Sequence, residues 1–531
     1  MKWQSRFDYG EGLYLQKGIR LFASVLSAAI SGMEVCPVQV EADVSSGLPC
    51  FTMVGFPSTQ VKEAQDRVRT ALKNNGISLP PKKVTVNLAP ADLRKEGAGF
   101  DLPVAAAVLA ASGFIEPQLL RNVMVVGELS LNGEVRSVSG VLPRVIRARE
   151  LGCRYCIIPY ENLAEGALVK DMKVVGVQNI KEVLKLVSDP DAFGKENQFS
   201  EVNSEENQIE ESLVDFGEIC GQESARRAVE IAVSGFHNIL FIGPPGTGKT
   251  MLAKRIPTIM PSLTFEESLE LTKIYSIAGL LSPKRPLIKA RPFRSPHHTS
   301  SSAALAGGGR IPGPGEVTLA HRGVLFLDEM PEFARGSLEV LRQPLEDKQI
   351  QLSRASGTYV FPAGFILVAA MNPCPCGYYP DMNKCRCTPG EVSHYLHKLS
   401  QPLLERIDLC ADVPPVNFSQ ISGEKSGESS ALIRKRVEKA RRIQQKRYQN
   451  EKICFNGELS GKQIRKYCVM TENAFQVAKN AFELMKLSAR SYHRILKVSR
   501  TIADMEGEEL IHTRHVAEAL TYKAFDKKYR S

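Results

Sequence analysis

The chain has 531 residues, of which 43% are hydrophobic and 24% are charged, the balance of an ordinary folded protein. This length exceeds what one hydrophobic core usually organises, so the sequence predicts two or three domains. No apolar run reaches the roughly 18 residues of a membrane-spanning helix, which excludes an integral membrane protein of that type. The formal net charge of +10, from 68 basic and 58 acidic residues, is compatible with a nucleic-acid partner and equally with none.

The N-terminal segment, residues 1–20, contains acidic side chains and no apolar run followed by a cleavage signature, so it does not resemble a secretory signal. We therefore expect a cytoplasmic protein. In that compartment the twelve cysteines are expected to be reduced thiols or metal ligands, because disulfides are rare there.

Two polar breaks divide the rest of the chain. Residues 189–215 carry nine acidic residues and one basic residue with almost no apolar periodicity, which predicts a flexible acidic linker. A second polar stretch, residues 419–430, precedes a basic region of helical pattern that continues to the end.

A phosphate-binding loop is predicted directly after residues 238–242, a short apolar run typical of a buried parallel strand. Its glycines allow backbone N–H groups to surround phosphates, and the helix that follows adds positive potential. Lys249 is expected to reach the β- and γ-phosphates of a nucleoside triphosphate, and the Thr250 hydroxyl to bind Mg²⁺. The loop fits G-x-x-x-x-G-K-[ST] and consists of Gly243, Pro244, Pro245, Gly246, Thr247, Gly248, Lys249 and Thr250.

Two further apolar runs end in polar side chains. Residues 324–327 are followed by Asp328 and Glu329, which suit a Mg²⁺ ligand and a base for the attacking water. Residues 365–371 are followed by Asn372, whose amide can orient that water. A simple cap of the strand is the alternative interpretation of this asparagine.

A cysteine cluster comes directly after Asn372. Four thiolates in a short polar loop suit tetrahedral Zn²⁺. The spacing is tighter than in common zinc fingers, so free thiols packed beneath the strand, or partial ligation with His394, are the alternatives. The pattern C-x-C-x₈-C-x-C is formed by Cys374, Cys376, Cys385 and Cys387.

Arg406 follows an apolar helix end in the sequence LLERID. Such an arginine can reach the nucleotide of a neighbouring subunit and stabilise the charge of the transition state. An ion pair with Asp408 of the same chain is the alternative interpretation.

Taken in order, these nucleotide-site motifs resemble those of the AAA+ ATPases, and in particular the YifB/ComM family of magnesium-chelatase-like proteins. The resemblance covers the chain from about residue 21 to the end. It implies an α/β fold, an AAA+ phosphate-loop parallel sheet with a helical lid, preceded by an α+β domain like those of Lon proteases and ribosomal protein S5. The segments that carry it include SAAISGMEV, VEADVSSGLPCFTMVGFP, VNLAPADLRKEGAGFDLPVAAAVLAAS, RPFRSPHHTSSSAALAGGG, NPCPCGYYPD, CRCTP and LSARSYHRILKVSRTIADM.

The resemblance also predicts domain boundaries. An N-terminal extension at 1–20 precedes a Lon-protease-like domain at 21–188 and the acidic linker at 189–215. The AAA+ core with its channel hairpins is expected at 216–415. The helical lid, or magnesium-chelatase-type C-terminal domain, is expected at 416–531.

The N-terminal domain is expected to be non-catalytic. Lon enzymes use a serine nucleophile activated by a lysine. Alignment with the Lon pattern places Gly99 at the serine position and Leu142 at the lysine position. Neither residue can perform this chemistry. The domain is therefore expected to pack on a ring formed by the ATPase domains, to bind a partner or to aid assembly. A Ser–Lys pair elsewhere in the domain is the alternative.

The family resemblance further implies a homohexameric ring that uses ATP and Mg²⁺ at sites shared between subunits. It assigns Arg490 to a lid contact with the phosphates, with Arg494 one turn on as the rival. Two hairpins, about 280–320 and about 350–362, are expected to bind the DNA backbone in the channel. Their basic residues are Lys284, Arg285, Lys289, Arg291, Arg294, Arg310 and Arg354. Ordinary solvated loop charge is the alternative for each of them.

The expected function is therefore an ATP-dependent hexameric motor acting on DNA, a helicase that drives branch migration during recombination in natural transformation. Its partners would be further copies of the chain and single-stranded or branched DNA, with no membrane. A magnesium-chelatase-like or chaperone-type ATPase that remodels a protein is the alternative. An active Lon-like protease is disfavoured by Gly99 and Leu142.

Overall fold

The computed structural model describes residues 22–188, 214–309, 312–354, 357–416 and 427–523. The predicted N-terminal extension, and the acidic linker except for its last two residues, lie outside the described residues. The chain divides into two compact units, and the first groups the N-terminal region with Tyr275–Leu287. None of the helices in the described part of the chain has both the length and the apolar composition needed to span a bilayer.

A seven-stranded mixed sheet forms the basis of the first unit. The strands of this unit are β1 (Phe22–Ser31), β2 (Glu34–Ser45), β3 (Cys50–Val54), β4 (Lys83–Ala89), β5 (Val123–Val125), β6 (Glu128–Leu129), β7 (Val135–Arg136), β8 (Tyr155–Pro159) and β9 (Lys173–Val177). The sheet order is β3-β4-β2-β1-β5-β8-β9, and β6 pairs with β7 outside it. Antiparallel pairing joins β1 to β2 and β2 to β4, and the other neighbours in the sheet are parallel.

A wholly buried helix, α3, lies at the centre of this unit. The helices are α1 (Thr59–Lys62), α2 (Ala64–Asn74), α3 (Asp101–Ala111), α4 (Val141–Glu150), α5 (Leu163–Gly166) and α6 (Ile180–Ser188). The sequence of α3 is apolar all round, so it packs against β1 and β2 with every residue buried. Its one charge, Asp101, accepts hydrogen bonds from Nε and Nη2 of Arg67 at 2.7 and 2.9 Å, which compensates its burial.

A five-stranded parallel sheet forms the basis of the second unit. The strands of this unit are β10 (Ile239–Ile242), β11 (Phe293–Arg294), β12 (Gly307–Gly308), β13 (Gly313–Pro314), β14 (Val324–Leu327), β15 (Gln349–Arg354), β16 (Gly357–Pro362), β17 (Ile366–Met371) and β18 (Leu409–Asp412). The sheet order is β11-β14-β17-β10-β18, and all its neighbours are parallel. The carboxyl ends of β14, β17 and β10 therefore lie side by side at one edge.

Both faces of this sheet are covered, which explains its continuous apolar strands. Successive side chains point to opposite faces. Phe241 and Phe326 belong to one apolar cluster, which includes side chains of the flanking helices, and Leu240 and Leu327 belong to another on the other face.

Helices complete the second unit and form its lid. They are α7 (Glu223–Gly235), α8 (Lys249–Ile259), α9 (Phe265–Ile277), α10 (Ser302–Ala306), α11 (Glu316–Leu319), α12 (Arg335–Glu339), α13 (Arg342–Asp347), α14 (Pro389–His397), α15 (Gln401–Leu404), α16 (Ser430–Tyr448), α17 (Gly461–Tyr467), α18 (Glu472–Leu484), α19 (Ala489–Glu506) and α20 (Thr513–Thr521). The last residues of α9 group with the first unit. In the lid, α19 packs on α16 and α20, and its buried Asp504 accepts a hydrogen bond from Nη1 of Arg447 at 2.7 Å.

The first expected hairpin, about 280–320, is wrong in extent. β11 lies within this stretch but pairs in parallel with β14, so it belongs to the central sheet. In the described residues of the stretch, only β12 and β13 form an antiparallel strand pair, which joins 307–308 to 313–314. The second hairpin, about 350–362, has the expected form as β15 and β16.

Candidate functional site

The predicted phosphate-binding loop connects β10 to α8. Gly246 and Gly248 have φ angles of +76° and +87°, a region that residues with a Cβ adopt rarely. Gly243 is needed for close packing, because a Cβ there would lie 2.1 Å from the carbonyl oxygen of Val413. The space beside Gly246 and Gly248 is open, which fits the close approach of a phosphate to the loop backbone.

The amine of Lys249 is folded back onto this loop. Its Nζ donates to the carbonyl oxygens of Gly243 and Pro244 at 2.7 and 2.8 Å, and to Oδ1 of Asn372 at 3.1 Å. Burial lowers the pKa of the amine, against the opposing negative charge of Asp328. A cation that is held by these neutral oxygens is suited to exchange them for phosphate oxygens. Asn372 therefore does more than cap its strand, since it joins the end of β17 to the loop.

The predicted Mg²⁺ ligands are adjacent. Thr250 lies in the first turn of α8, and its hydroxyl donates to Oδ2 of Asp328 at 2.7 Å. Asp328 comes directly after β14, which is the immediate neighbour of β17 in the sheet. One hydroxyl and one carboxylate fit a Mg²⁺ ion whose other ligands are phosphate oxygens and water.

Glu329 faces a cavity that is also lined by Asn372, the hydrogen-bond partner of Lys249. Its φ angle is +49° and its side chain is 61% exposed. Nδ1 of His298 lies 4.0 Å from Oε2 of this carboxylate. The cavity has a volume of about 680 Å³ and is lined by Glu329, Glu332, Asn372, Pro375, Gly390, Glu391, His394, Tyr395 and Lys398. A carboxylate in this position can accept a proton from a water molecule held beside the phosphates.

The structure brings the two predicted arginines, Arg406 and Arg490, together on one carboxylate. Nη2 of Arg406 donates to Oε2 of Glu346, and Nη2 of Arg490 donates to Oε1 of the same residue at 2.8 Å. The partner of Arg406 within the chain is therefore Glu346, whereas Asp408 accepts a hydrogen bond from the backbone N–H of Asn238 at 3.0 Å.

Arg494, the rival of Arg490, is buried and held by backbone oxygens. Its Nη1 donates to the carbonyl oxygens of Leu404, at 3.3 Å, and of Ile407, and burial lowers its pKa. Its side chain is therefore part of the packing between α19 and α15. Arg490 is 39% exposed and is the better placed of the two to reach a ligand.

The four cysteines of the predicted metal cluster also come together. Their Sγ atoms all lie within 4.8 Å of one another, in the loop between β17 and α14. His394 is not part of this group and lines the cavity beside Glu329 instead.

Comparison with known proteins agrees with this geometry. Three family descriptions match: "Subunit ChlI of Mg-chelatase" at 40–162, "Magnesium chelatase, subunit ChlI" at 215–421 and "Magnesium chelatase, subunit ChlI C-terminal" at 427–523. Competence protein ComM of Haemophilus influenzae is 44% identical over 506 residues, which cover 94% of this chain and 97% of ComM. YifB of Salmonella typhimurium is 42% identical over 508 residues, or 95% of this chain and 97% of YifB.

The chain belongs to the YifB/ComM family of magnesium-chelatase-like AAA+ ATPases. Membership of this family makes the second unit an ATPase domain that uses ATP and Mg²⁺. A shorter match is the DNA repair protein RadA of Listeria monocytogenes, which is 31% identical over 172 residues, or 30% of this chain and 35% of RadA.

For this family member, the structure removes Arg291 from the predicted DNA-binding residues. Its side chain is only 6% exposed. It donates to the carbonyl oxygens of Pro261 and Arg322 at 2.6 and 2.7 Å and to Glu267 at 3.2 Å. With its donors used inside the fold, this arginine cannot contact DNA in this conformation.

The other predicted DNA-binding residues differ in their surroundings. Arg294 forms a two-point ion pair with Glu316, at 2.6 and 2.7 Å, so its charge is already partnered. Arg310 lies outside the described residues. The exposed members of the set are Lys284, Arg285, Lys289 and Arg354. Lys284 and Arg285 group with the first unit, and Lys289 and Arg354 with the second.

In the first unit, a guanidinium lies beside the position predicted to correspond to the Lon serine. A Cβ at Gly99 would lie 3.9 Å from Nη2 of Arg144, and Leu142 is fully buried. Burial lowers the pKa of Arg144 to about 10. It donates to the carbonyl oxygens of Ala28, Ser139 and Gly140 at 3.0, 2.6 and 3.3 Å.

The fully buried Lys95 likewise donates its hydrogen bonds to backbone carbonyl oxygens of this unit. Its amine donates to the carbonyl oxygens of Gly55, at 3.0 Å, and of Pro90. Those contacts bring no serine hydroxyl to the amine, and so they give no support to the alternative of a Ser–Lys pair.

Two residues that contact predicted site residues are missed by sequence reasoning. His298 approaches Glu329 from 31 positions earlier in the chain, and Glu346 pairs with arginines from 60 and 144 positions away. The histidine pair in SPHHT gave a weak signal, because such a pair in a loop has many uses. Glu346 gave none, because a single glutamate in a polar helix is ordinary.

Proposed function

We propose that this chain is an ATP-driven motor that acts on DNA, and that the loop between β10 and α8 is its ATP site. Lys249, Thr250 and Asp328 would hold the triphosphate and its Mg²⁺, and the ion would neutralise charge on the phosphates. Glu329 accepts the proton of the attacking water. Asn372 orients that water, and the hydrogen bond that it accepts from Lys249 holds the two side chains at a fixed distance from each other.

We propose further that the sites are shared between subunits of a homohexameric ring. Support comes from Arg406, which lies on the loop after α15 and is paired with the 52% exposed Glu346. A pair with one exposed member can open when a stronger anion, such as a phosphate of the next subunit, approaches. Arg490, on the lid helix α19, donates to the same carboxylate and would likewise exchange Glu346 for a phosphate.

The DNA proposal rests on the meeting of the two hairpins. A Cβ at Gly308, in the β12–β13 pair, would lie 3.3 Å from Nη2 of Arg354, at the end of β15. Arg354 is exposed, and most of the β15–β16 hairpin around it is exposed as well. A basic tip on two adjoining hairpins suits the phosphate backbone and reads no bases.

The relatives direct this proposal toward recombination. ComM is named a competence protein and RadA a DNA repair protein. We propose that this chain separates or migrates DNA branches when DNA taken up in natural transformation is recombined. Single-stranded or branched DNA would then be the ligand.

ATP turnover with and without DNA tests the proposal. At low salt, forked or four-way DNA is expected to raise turnover by the wild type, and Lys249→Ala is expected to show no turnover with or without DNA. Arg354→Ala should keep the basal rate, lose most of the stimulation, and reduce the slope of log affinity against log salt by about one. Arg442→Ala, at a 79% exposed position on α16, serves as the matched control. Absence of both DNA binding and stimulation at low salt would reject a DNA motor.

The alternative is a magnesium-chelatase-like or chaperone-type ATPase that remodels a protein. The family descriptions, all of which name magnesium chelatase, favour it. It predicts basal turnover that a protein partner raises and DNA leaves unchanged. The same assay therefore separates the two functions.

A further inference from the structure

The loop between β17 and α14 carries a sulfur cluster that the ATPase chemistry does not use. Cys374 is fully buried, and the other three cysteines are partly buried. The Sγ–Sγ distances are 3.3 Å for Cys374–Cys376, 3.5 Å for Cys376–Cys385 and 3.8 Å for Cys374–Cys385. All four Sγ atoms, including that of Cys387, lie within 4.8 Å of one another.

These distances match the size of a tetrahedral site for one ion. With Zn–S bonds of about 2.3 Å, the sulfurs of a tetrahedron are about 3.8 Å apart. A disulfide would need a sulfur separation of about 2.05 Å. An iron–sulfur cluster would distribute the thiolates over two or more iron atoms and spread them further apart.

The backbone around Cys374 is arranged for a negatively charged sulfur. The N–H groups of Gly377 and Tyr379 both donate to its Sγ, at 3.2 and 3.4 Å. A buried thiolate is costly without a counter-charge, and such donors orient and stabilise ligands that bind a metal. Packing of reduced thiols beneath the strand does not require two amide donors on one sulfur.

The same loop touches the ATP site at two points. Gly377 has a φ angle of +87°, and a Cβ there would lie 2.5 Å from Cδ of Pro245 in the phosphate-binding loop. Cys374 comes two residues after Asn372, which accepts a hydrogen bond from Lys249. The far end of the cysteine loop is fixed by the start of α14, where Thr388 and Glu391 form a capping box.

We propose that Cys374, Cys376, Cys385 and Cys387 bind one structural Zn²⁺ ion, which holds the loop against Pro245 and so braces the phosphate-binding loop. Zinc suits this task because it is redox-inactive and favours four thiolates in a closed tetrahedral site. The brace rests on the proposed ATP site, whereas the metal stoichiometry does not depend on it.

Metal analysis of the purified full-length chain tests the ion. The expected result is about one zinc per chain, released when the thiols are modified with a mercurial, and replaceable by Co²⁺ with the visible absorption of a tetrahedral thiolate. Cys385→Ser should lose the metal, and Cys454→Ser, at an exposed cysteine outside the cluster, should keep it. Less than about a tenth of an equivalent of zinc in the wild type, or iron in its place, would overturn the assignment.

Binding of a fluorescent ATP analogue with Mg²⁺ tests the brace, separately from turnover. Gly377→Ala keeps all four ligands but pushes on Pro245, so it should retain zinc and bind the analogue about tenfold or more weakly. Gly152→Ala, in the first unit, has a similar positive φ angle of +72° but its added Cβ meets no atom within 4 Å, so it should change neither property. This pair keeps the test decisive even if Cys385→Ser fails to fold. Zinc retention with unchanged analogue affinity in Gly377→Ala would overturn the brace and leave the metal site standing. If the wild type itself failed to bind the analogue, the proposed ATP site would fall instead.

Discussion

The nucleotide site of the second unit and the Lon-like position of the first unit both contain a buried cation, but the two cations have different partners. Lys249 donates to two loop carbonyls and an amide beside an open space. Arg144 donates to three carbonyls of its own domain, next to Gly99, which has no side chain to activate.

This difference separates a site that can exchange its contacts from one that is closed. A phosphate can replace the partners of Lys249 because the loop faces open space. Glu329 is available at the cavity that Asn372 also lines. A Cβ at Gly99 would instead lie within ordinary contact distance of Val126, Val138 and Arg144, and the guanidinium of Arg144 is engaged with backbone carbonyls. Chemistry belongs to the second unit in this proposal, and the first unit serves packing, partner binding or assembly.

Among the changes that test this comparison, loss of Lys249 should have the largest effect on ATP hydrolysis. Lys249→Ala is expected to reduce ATP hydrolysis to background, because one preorganised cation at the phosphates contributes a factor of about 100 to 1000. Lys254→Ala, at an exposed lysine of the same helix, should retain turnover. Steady-state phosphate release measures both variants, and retained hydrolysis in Lys249→Ala would place the ATP site elsewhere.

Loss of Arg406 tests whether the site is shared between chains. Arg406→Ala should lower turnover by about 1000-fold if it acts on a neighbour's nucleotide. A mixture of Arg406→Ala and Lys249→Ala chains should then recover activity, because some interfaces combine an intact loop with an intact arginine. Glu346→Gln, which releases the arginine, should not lower the rate. Failure of the mixture to recover would assign Arg406 to its own chain.

Glu329→Gln should separate hydrolysis from binding. We expect turnover about 100-fold lower with the affinity for ATP and Mg²⁺ maintained, since only the proton acceptor is removed. The matched control is Glu332→Gln in the same cavity, where the carboxylate pairs with Lys398 at 3.0 Å. Nucleotide-binding and turnover assays on both variants decide the point, and equal losses in the two would argue against a special role for Glu329.

In the first unit the expected effects are on stability. Arg144→Met should lower the free energy of unfolding by about 2–3 kcal/mol, because buried carbonyl oxygens lose their donors. Thermal unfolding of the full chain measures this loss, provided that the transition of the first unit is resolved from that of the second. Unchanged stability would show that the guanidinium is not needed for packing.

The smallest effect is expected for Gly99→Ser. The new Cβ would meet its neighbours at 3.7 to 3.9 Å, an ordinary contact distance, so stability should change by less than about 1 kcal/mol. An ATP-plus-protein degradation assay should show no proteolysis in either the wild type or this variant. Proteolysis by Gly99→Ser would mean that the rest of a Lon-type site is present.

Sequence reasoning predicted the placement of those side chains that directly follow strands of the parallel sheet. The phosphate-binding loop, Asp328 with Glu329, and Asn372 each follow an apolar run, and parallel pairing brings the ends of those strands together. The parallel sheet and helical lid of the family are confirmed in the second unit. Whether the catalytic roles of these side chains are as proposed stays a prediction.

Sequence reasoning failed where partners come from distant segments. Arg291 and Arg294 looked like free basic loop residues, but their acceptors lie between 22 and 31 positions away. β11 is two residues long, too short to show a strand pattern, so the sequence predicts one long hairpin where the structure has a strand of the central sheet. Pairing across the sheet, which no local pattern records, decided its place.

ATP-driven movement on DNA is tested most directly with a labelled four-way DNA junction, incubated with the chain, ATP and Mg²⁺ at low salt. The proposal predicts that the wild type converts the junction to separated products, and that Lys249→Ala does not. A wild type that hydrolyses ATP and binds the junction but leaves it intact would contradict a DNA motor of this kind.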